Sequence, residues 1–294
     1  MIICTRKEGS FLVKNNIILN RLFTQNTFSE LIHDSEPSVY NTVIKRYVDD
    51  PENKSNGMLL SEIYSYMSDE YRNEYFYQNT LLNKLLLGVH SVNTTTALTQ
   101  IPIFRSKADF ILINGKAVVY EIKTDLDTFD RLETQIRDYF KAFNHVCVVT
   151  SEHQFSHACE LLKNTNVGIY VLTQQETISQ TMRKEPVADN SQLDHTVIFK
   201  ILHKAEYENI LIKYFGELPQ VSQVFYYGEC LKRFSEIPID LAYALFLKEL
   251  KKRNKIEHVR LKEIPYELKS LVYFSRPTTQ DWESINFFLG SSHK

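Results

Sequence analysis

One stretch of the sequence, residues 108–123, most restricts how this chain can fold. Asp109 opens an apolar run that ends at Asn114 and Gly115, and a second run rich in β-forming residues follows at once and continues to Lys123. Two such runs joined by Asn-Gly predict a β-hairpin. We therefore expect two adjacent antiparallel strands whose register depends on this turn.

The second strand of this hairpin carries charges on a face that its neighbours predict to be buried. Because side chains alternate along a strand, Glu121 and Lys123 share a face with Val119. Burying charged groups is costly unless they are paired or bind a metal. The carboxylates of Asp109 and Glu121 can hold a hard divalent cation, usually Mg²⁺, which also binds substrate phosphate. Lys123 would then orient the attacking water or stabilise charge on the phosphate.

The length of the hairpin loop decides whether Asp109 joins this face. A two-residue turn at Asn-Gly would pair position 109 with position 120 and direct Asp109 away from Glu121. A three-residue loop over 113–115, with Gly115 left-handed, would pair position 109 with position 119 and bring the two carboxylates together. A bulge would have the same effect. The metal-site hypothesis therefore predicts an odd-numbered loop or a bulge.

The segment after the hairpin has the apolar spacing of an amphipathic helix over residues 128–143. Leu126 can act as a hydrophobic staple before this helix. Three residues can cap its N-terminus: Asp125, Asp127 or Thr128. Gln135 and Tyr139 are four residues apart and therefore share a face. The pattern then predicts a strand, a helix and a strand at 146–150, 155–162 and 167–172.

These residues resemble the PD-(D/E)XK, or restriction-endonuclease-like, nuclease superfamily. Its pattern is an acidic residue on one strand, acid-x-Lys on the next and a helix packed against both, which here would be Asp109, Glu121-Ile122-Lys123 and the helix. The spacing of Gln135 and Tyr139 is similar to the Gln-x-x-x-Tyr motif of the RecB-like branch. The resemblance covers roughly residues 70–175, with alanine in place of the usual proline before the first aspartate.

The resemblance implies a fold and an activity. The fold would be α/β with a restriction-endonuclease-like core, in which a central mixed β-sheet is flanked by helices, plus a mostly helical C-terminal region. The activity would be that of a Mg²⁺-dependent phosphodiesterase acting on DNA, a nuclease for which Mn²⁺ can substitute. DNA is favoured over RNA as the partner. Genome defence, mobile-element maintenance and repair are the settings that it suggests.

The resemblance also implies roles for individual residues. The metal ligands would be Asp109, Glu121 and the backbone carbonyl of Ile122. A helix before the first strand often supplies a further acidic ligand in this superfamily, and Glu74 is the candidate, with Glu70 and Glu62 as rivals. The catalytic group would be completed by three residues: Lys123, Gln135 and Tyr139.

Two alternatives to an active nuclease stay open. One is a hairpin whose charges only face water. The other is a catalytically silent nuclease-fold module that binds nucleic acid or a protein partner, including a subunit that is inactive until a partner supplies DNA. A protein partner would then dock on the C-terminal region, where exposed apolar patches would mark the interface.

The pattern along the chain divides it into four parts. We predict an N-terminal lead-in of unknown role (1–60), a nuclease-like core (61–175), a linker or surface crossing (176–195) and a helical C-terminal region (196–294). Within the core, the helical pattern runs from Ser61 to Gly88. In the last part, helices are predicted at 197–214, 221–234 and 239–250, and the most basic window of the chain, 248–262, is a candidate for phosphate contacts.

Composition narrows the class of protein. The 294-residue chain has a formal net charge of −2, so no overall basic field indicates a nucleic-acid partner. Arg105 and Lys107 are cations just before Asp109 that can reach phosphates flanking the scissile one, and His90 is a lone loop histidine. The cysteines lack the paired spacing of a zinc site or disulfide framework. With no apolar run near eighteen residues, we expect no membrane association and a cytoplasmic location.

Overall fold

The computed structural model describes residues 16–33, 38–88, 94–253 and 258–293. His90, Cys4 and part of the basic window lie outside the described residues. Within the described residues, a six-stranded mixed sheet has the order β1-β2-β3-β4-β5-β6. The strands are β1 Thr96–Ile103, β2 Ser106–Asn114, β3 Lys116–Lys123, β4 Val146–Ser151, β5 Gly168–Leu172 and β6 Ile178–Lys184. β3, β4 and β5 are parallel, and the other neighbouring pairs are antiparallel. This confirms the predicted α/β class with a mixed sheet.

Helices cover both faces of the sheet, and each face has its own apolar core. One core joins the sheet to helices from both ends of the chain: α1 Ile17–Leu22, α2 Gln25–His33, α3 Ser38–Tyr47, α4 Asn56–Glu70, α5 Glu74–Leu81, α12 His258–Glu263, α13 Lys269–Ser275 and α14 Thr279–Gly290. The other core contains the crossover and later helices: α6 Leu132–Phe140, α7 Phe155–Leu162, α8 His195–Ile201, α9 Lys204–Phe215, α10 Gln223–Ser235 and α11 Ile239–Lys251. The predicted helical C-terminal region is therefore confirmed.

The helical pattern predicted from Ser61 to Gly88 is divided in the structure. α4 begins earlier, at Asn56, because the Ser55 side chain accepts a hydrogen bond from the Met58 N–H and caps it. The helix stops at residue 70, and α5 restarts after Asn73, whose side chain accepts from the Phe76 N–H. This interruption places Glu74 in the first turn of α5. The chain then continues as a π-helical turn, Leu82–Leu87.

The predicted caps and staple of α6 are wrong. The helix begins at Leu132, and the Asp127 carboxylate instead accepts hydrogen bonds from the backbone N–H and hydroxyl of Thr124, at 2.9 and 2.8 Å. Asp125 accepts a hydrogen bond from Ser151, and the side chain of Leu126 is 57% exposed. Short polar side chains can bond to nearby backbone groups outside a helix as well as at its terminus, and Asp127 does so here. Residues 124–127 therefore form a turn after β3.

Two other segments differ from the sequence prediction. Residues 176–195 include β6, an edge strand that its polar sequence did not indicate, because an edge strand needs little apolar surface. The predicted helix 197–214 is two helices, since Leu202 takes an extended conformation between α8 and α9. Neither segment carries a predicted site residue.

The β2–β3 hairpin has the odd-numbered loop that the metal-site hypothesis predicts. Asn114 pairs with Lys116 and Phe110 with Tyr120, so the loop is centred on Gly115, which has φ of 72°. The left-handed glycine is confirmed. The expected pairing of position 109 with position 119 is wrong by two residues, since the observed register continues to position 121. In this register Asp109 and Glu121 nevertheless lie opposite each other on the two strands.

Gly115→Ala is expected to destabilise the protein by about 1–2 kcal/mol, because alanine is strained at a positive φ. An added Cβ would contact nothing within 4 Å, so the cost is one of backbone conformation. Urea unfolding measures it. The control is Gly228→Ala in α10, where a Cβ also meets open space but φ is not positive. The free energy of unfolding of that variant should rise by up to about 1 kcal/mol. Equal effects at both positions would contradict the role of Gly115.

Candidate active site

Four predicted residues meet at the end of β3 in one hydrogen-bonded cluster, which we call the Glu121 cluster: Glu121, Lys123, Gln135 and Tyr139. Lys123 Nζ lies 2.9 Å from Glu121 Oε1 and 3.0 Å from Gln135 Oε1. Gln135 Nε2 donates to the same Glu121 oxygen, and the Tyr139 hydroxyl lies 2.5 Å from Glu121 Oε2. The strand motif and the helix motif are thus parts of a single arrangement.

This cluster is buried, and it is held between strand β3 and helix α6. Glu121 is 1% exposed and Lys123 is 8% exposed. α6 packs against β2 and β4 on the face that carries Glu121, which brings Gln135 and Tyr139 over the end of β3. Burial, followed by the charge of Glu121, raises the pKa of Tyr139. Tyr139 therefore keeps its proton and can donate it to the carboxylate in a hydrogen bond.

Asp109 lies next to this cluster, where the ladder between β2 and β3 ends. Its Oδ2 accepts a hydrogen bond of 2.9 Å from the backbone N–H of Ile122. Burial and then the charges of Glu121 and Glu74 raise the pKa of Asp109 well above its usual range, although Lys123 opposes the shift. The structure therefore brings together the acidic residue of one strand and the acid-x-Lys of the next, with Ile122 between them.

Glu74 approaches the cluster from the first turn of α5. Its side chain is exposed to a cavity, yet the surrounding protein atoms desolvate it, and this desolvation with the charges of Asp127 and Glu121 raises its pKa. The rivals lie elsewhere: Glu62 forms an ion pair with Lys54, and Glu70 lines a separate pocket. Of the three candidates, Glu74 is the one whose charge raises the pKa of Asp109.

Carboxyl groups outnumber ammonium groups around this position. Four carboxylates act on one another here, opposed by two ammonium groups: Glu74, Asp109, Glu121 and Asp127 against Lys107 and Lys123. A cavity of about 610 Å³ opens beside them and is lined in part by Glu74 and Asp127. A group of carboxylates that outnumbers the neighbouring ammonium groups suits a hard divalent cation, and two of the four, Glu74 and Asp127, face the cavity.

The described residues contain no group of three or more His, Cys, Asp or Glu side chains arranged to hold a metal ion. Mg²⁺ does not require such a group, because it keeps several waters and commonly binds one or two protein carboxylates plus substrate phosphate. The donor set of Asp109 and Glu121, with the surplus of carboxyl groups, fits that mode of binding. Glu74 and the Ile122 carbonyl remain predicted ligands.

Asp109→Asn is expected to stabilise the metal-free protein at neutral pH. The folded-state pKa of Asp109 is raised, so its ionised form opposes folding above the ordinary pKa of aspartate, while an amide oxygen still accepts from the Ile122 N–H. In EDTA at pH 7 we expect a rise in Tm of about 2–4 °C, the shift that about 1 kcal/mol produces in a domain of this order of size.

The pH dependence distinguishes this effect from better packing. The advantage of the asparagine side chain should shrink as the pH falls through about 4 and be absent near about pH 3, where the Asp109 carboxyl of the wild type is protonated in both folded and unfolded states. The exposed Asp49→Asn variant is the matched control and should leave Tm unchanged. A lower Tm for Asp109→Asn at neutral pH, or an equal gain at every pH, would contradict the assignment.

Sequence reasoning missed the connection between this cluster and the turn joining β1 to β2. The Tyr139 hydroxyl also lies 2.9 Å from the carbonyl oxygen of Lys107, and Ser106 donates a 2.8 Å hydrogen bond to Asp138. Asp138 in turn forms an ion pair with Lys141 at 3.3 Å. The available signal was Asp138, a charged residue beside Tyr139 in a predicted amphipathic helix. Gln78, which donates to the Asp109 carbonyl, was also missed.

The predicted basic window is only partly available to a ligand. Arg253 donates hydrogen bonds to Glu206 and to the Ile201 carbonyl, and Lys252 forms an ion pair with Glu249. The Arg260 guanidinium lies 5.8 Å from the Trp282 ring centroid. These contacts assign the described arginines of the window to packing between helices. Its role in binding phosphates stays a prediction.

A protein-family model matches most of this chain. The family model described as Bacteriophage P4 protein cII matches residues 67–269, more than two thirds of the chain and a range that contains every predicted site residue. No curated protein and no solved structure matches the chain. In the described part of the chain, the helices are too short or too polar to cross a lipid bilayer.

Proposed function

Because this chain belongs to the bacteriophage P4 protein cII family, whose name states no chemistry, we propose its function from the site: a metal-dependent nuclease that hydrolyses DNA phosphodiester bonds. We further propose that its sheet and crossover helices form a restriction-endonuclease-like core. Mg²⁺ is the proposed cofactor, and Mn²⁺ should substitute for it.

One observation carries this proposal. A buried carboxylate, Glu121, holds an ammonium, an amide and a phenol around itself, next to a second carboxylate whose pKa is raised. Purely structural ion pairs do not need an additional desolvated acid beside them, because it destabilises the fold. An unfavourably placed carboxyl group of this kind is typical of a site arranged for a charged ligand.

Each residue of the candidate site has a separate role in the proposed reaction. A bound divalent cation would supply a water of lowered pKa and charge neutralisation at the phosphate. Asp109 and Glu121 would hold the cation, with the Ile122 carbonyl and Glu74 as further ligands. Lys123, kept in place by Glu121 and Gln135, would orient the attacking water or stabilise charge on the phosphate. Gln135 and Tyr139 position the Glu121 carboxylate.

Cleavage of labelled DNA tests this function. The substrates are linear and circular, single- and double-stranded, with Mg²⁺, Mn²⁺ or EDTA. We expect cutting that requires the metal and is lost in Lys123→Ala and Glu121→Ala. Survival of circular substrates would show that the enzyme requires ends. Binding of DNA without any cleavage would contradict the proposal.

A second candidate function is a silent module that binds nucleic acid or a protein partner. Two observations favour it. Both carboxylate oxygens of Glu121 already accept hydrogen bonds, and α10 exposes apolar side chains, with Val224 86% and Phe225 70% exposed. A chain that binds no divalent cation but forms a stable complex through α10 would favour this function over the nuclease.

A further inference from the structure

The turn between β1 and β2 presents an aromatic ring and cations to solvent; we call residues 103–107 the hairpin tip. Ile103 pairs with Ser106, so Phe104 and Arg105 form a two-residue loop. Phe104 has φ of 55°, in a position where two-residue hairpins usually place glycine. Its ring is 54% exposed. The tip thus holds a large apolar side chain in a strained backbone conformation and presents it to solvent.

Positive charges surround this exposed ring. Lys141 Nζ lies 3.4 Å from the ring centroid, and the Arg105 guanidinium lies 5.3 Å from it. Lys107 follows in β2, is exposed, and lies near enough to Glu74 to lower the pKa of that residue. An aromatic ring among cations is a common arrangement for binding single-stranded nucleic acid, in which the base stacks and the cations contact phosphates.

The hairpin tip is connected to the Glu121 cluster by short contacts. The Lys107 carbonyl oxygen and Glu121 Oε2 both lie within hydrogen-bond distance of the same Tyr139 hydroxyl, at 2.9 and 2.5 Å. The Ser106 hydroxyl donates a hydrogen bond to Asp138, which precedes Tyr139 in α6. The backbone of the hairpin tip and the Glu121 carboxylate therefore meet at Tyr139, which places the tip beside the candidate active site.

We propose that the hairpin tip binds an unpaired nucleobase of single-stranded DNA by stacking on Phe104, while Arg105 and Lys107 contact the adjacent phosphates. This inference rests on the proposed function and names its substrate class: a single strand or a frayed end. Bases within an intact duplex stack on one another and expose only their edges, so a blunt duplex offers no face to Phe104.

Fluorescence anisotropy with a labelled single strand of about 12 nucleotides, in EDTA, tests the inference. Phe104→Ala should weaken binding about 5- to 100-fold, the usual range for losing one base-stacking side chain. Binding of a blunt duplex should not change. Phe287→Ala, which removes an exposed ring from α14, is the matched control and should leave both affinities unchanged.

Two further variants separate recognition from folding. Phe104→Gly removes the ring and relieves the positive φ, so its Tm should equal or exceed that of the wild type while binding is still lost. Arg105→Ala should lower the slope of log affinity against log salt by about 0.7, the value for one phosphate contact on a single strand.

The outcomes distinguish this inference from the nuclease proposal. If the wild type cleaves DNA but Phe104→Ala binds single strands as tightly as the wild type, the hairpin-tip inference is overturned and the nuclease stands. If no DNA is cleaved while binding still depends on Phe104, the inference stands and the nuclease fails. Equal losses in Phe104→Ala and Phe287→Ala, or no binding of single strands at all, would overturn the inference.

Discussion

Glu121→Gln is expected to lower the rate of the proposed DNA cleavage by at least about 10³-fold, because it removes the proposed anionic metal ligand while keeping the shape of the side chain. Glu121 is the residue on which the contacts from Lys123, Gln135 and Tyr139 converge. Replacing its charge should remove the proposed cation binding, and it leaves the Lys123 ammonium without its ion-pair partner. Single-turnover cleavage in saturating Mg²⁺ measures the loss.

The matched control for this variant is Glu133→Gln in the first turn of α6, where the side chain is exposed. It changes the net charge equally, so general weakening of DNA binding by altered charge would affect both variants. We expect Glu133→Gln to cleave at the wild-type rate. Similar rates for Glu121→Gln and the wild type would exclude Glu121 as a metal ligand.

Lys123→Met is expected to destabilise the protein by about 3–5 kcal/mol, since it leaves a buried carboxylate without its ion-pair partner. The pair is 2.9 Å apart, and its side chains are 10% and 2% exposed. Glu121 would then face Asp109 and Glu74 without the opposing ammonium. At about 2–4 °C for each kcal/mol, the Tm should fall by about 6–20 °C.

A second substitution tests the cause of this loss. Adding Glu121→Gln to Lys123→Met removes the unpaired charge, so the double variant should be more stable than Lys123→Met alone. The control is Lys116→Met, an exposed lysine at the other end of β3, which should change Tm little. If the double variant lost the sum of both single effects, the two residues would not be coupled. Activity of Lys123 variants must be measured below their lowered Tm.

The sequence predicted the centre of this structure because the relevant signals are local. Asn-Gly between two β-type runs implied the hairpin, and the period of two placed Glu121 and Lys123 on one face. The four-residue spacing of Gln135 and Tyr139 put both on one side of α6, where the structure has them. Each inference needed only neighbouring residues.

The parts that failed depend on contacts between distant residues. Whether Asp125 caps a helix or bonds to Ser151 is decided by the position of β4, which the local sequence does not contain. The exact register of the hairpin was similarly out of reach, since Asn-Gly allows more than one loop. The exposure of Phe104 and its link to α6 required the folded β1–β2 hairpin.

The most direct test of the proposed nuclease is the initial rate at which the wild-type protein releases fragments from 5′-labelled linear DNA in Mg²⁺, with the Glu121→Gln variant purified in parallel. We expect cleavage by the wild type that EDTA abolishes and that Glu121→Gln lacks. A wild-type rate no higher than that of Glu121→Gln, with both proteins folded, would contradict the assignment of this cluster as a nuclease active site.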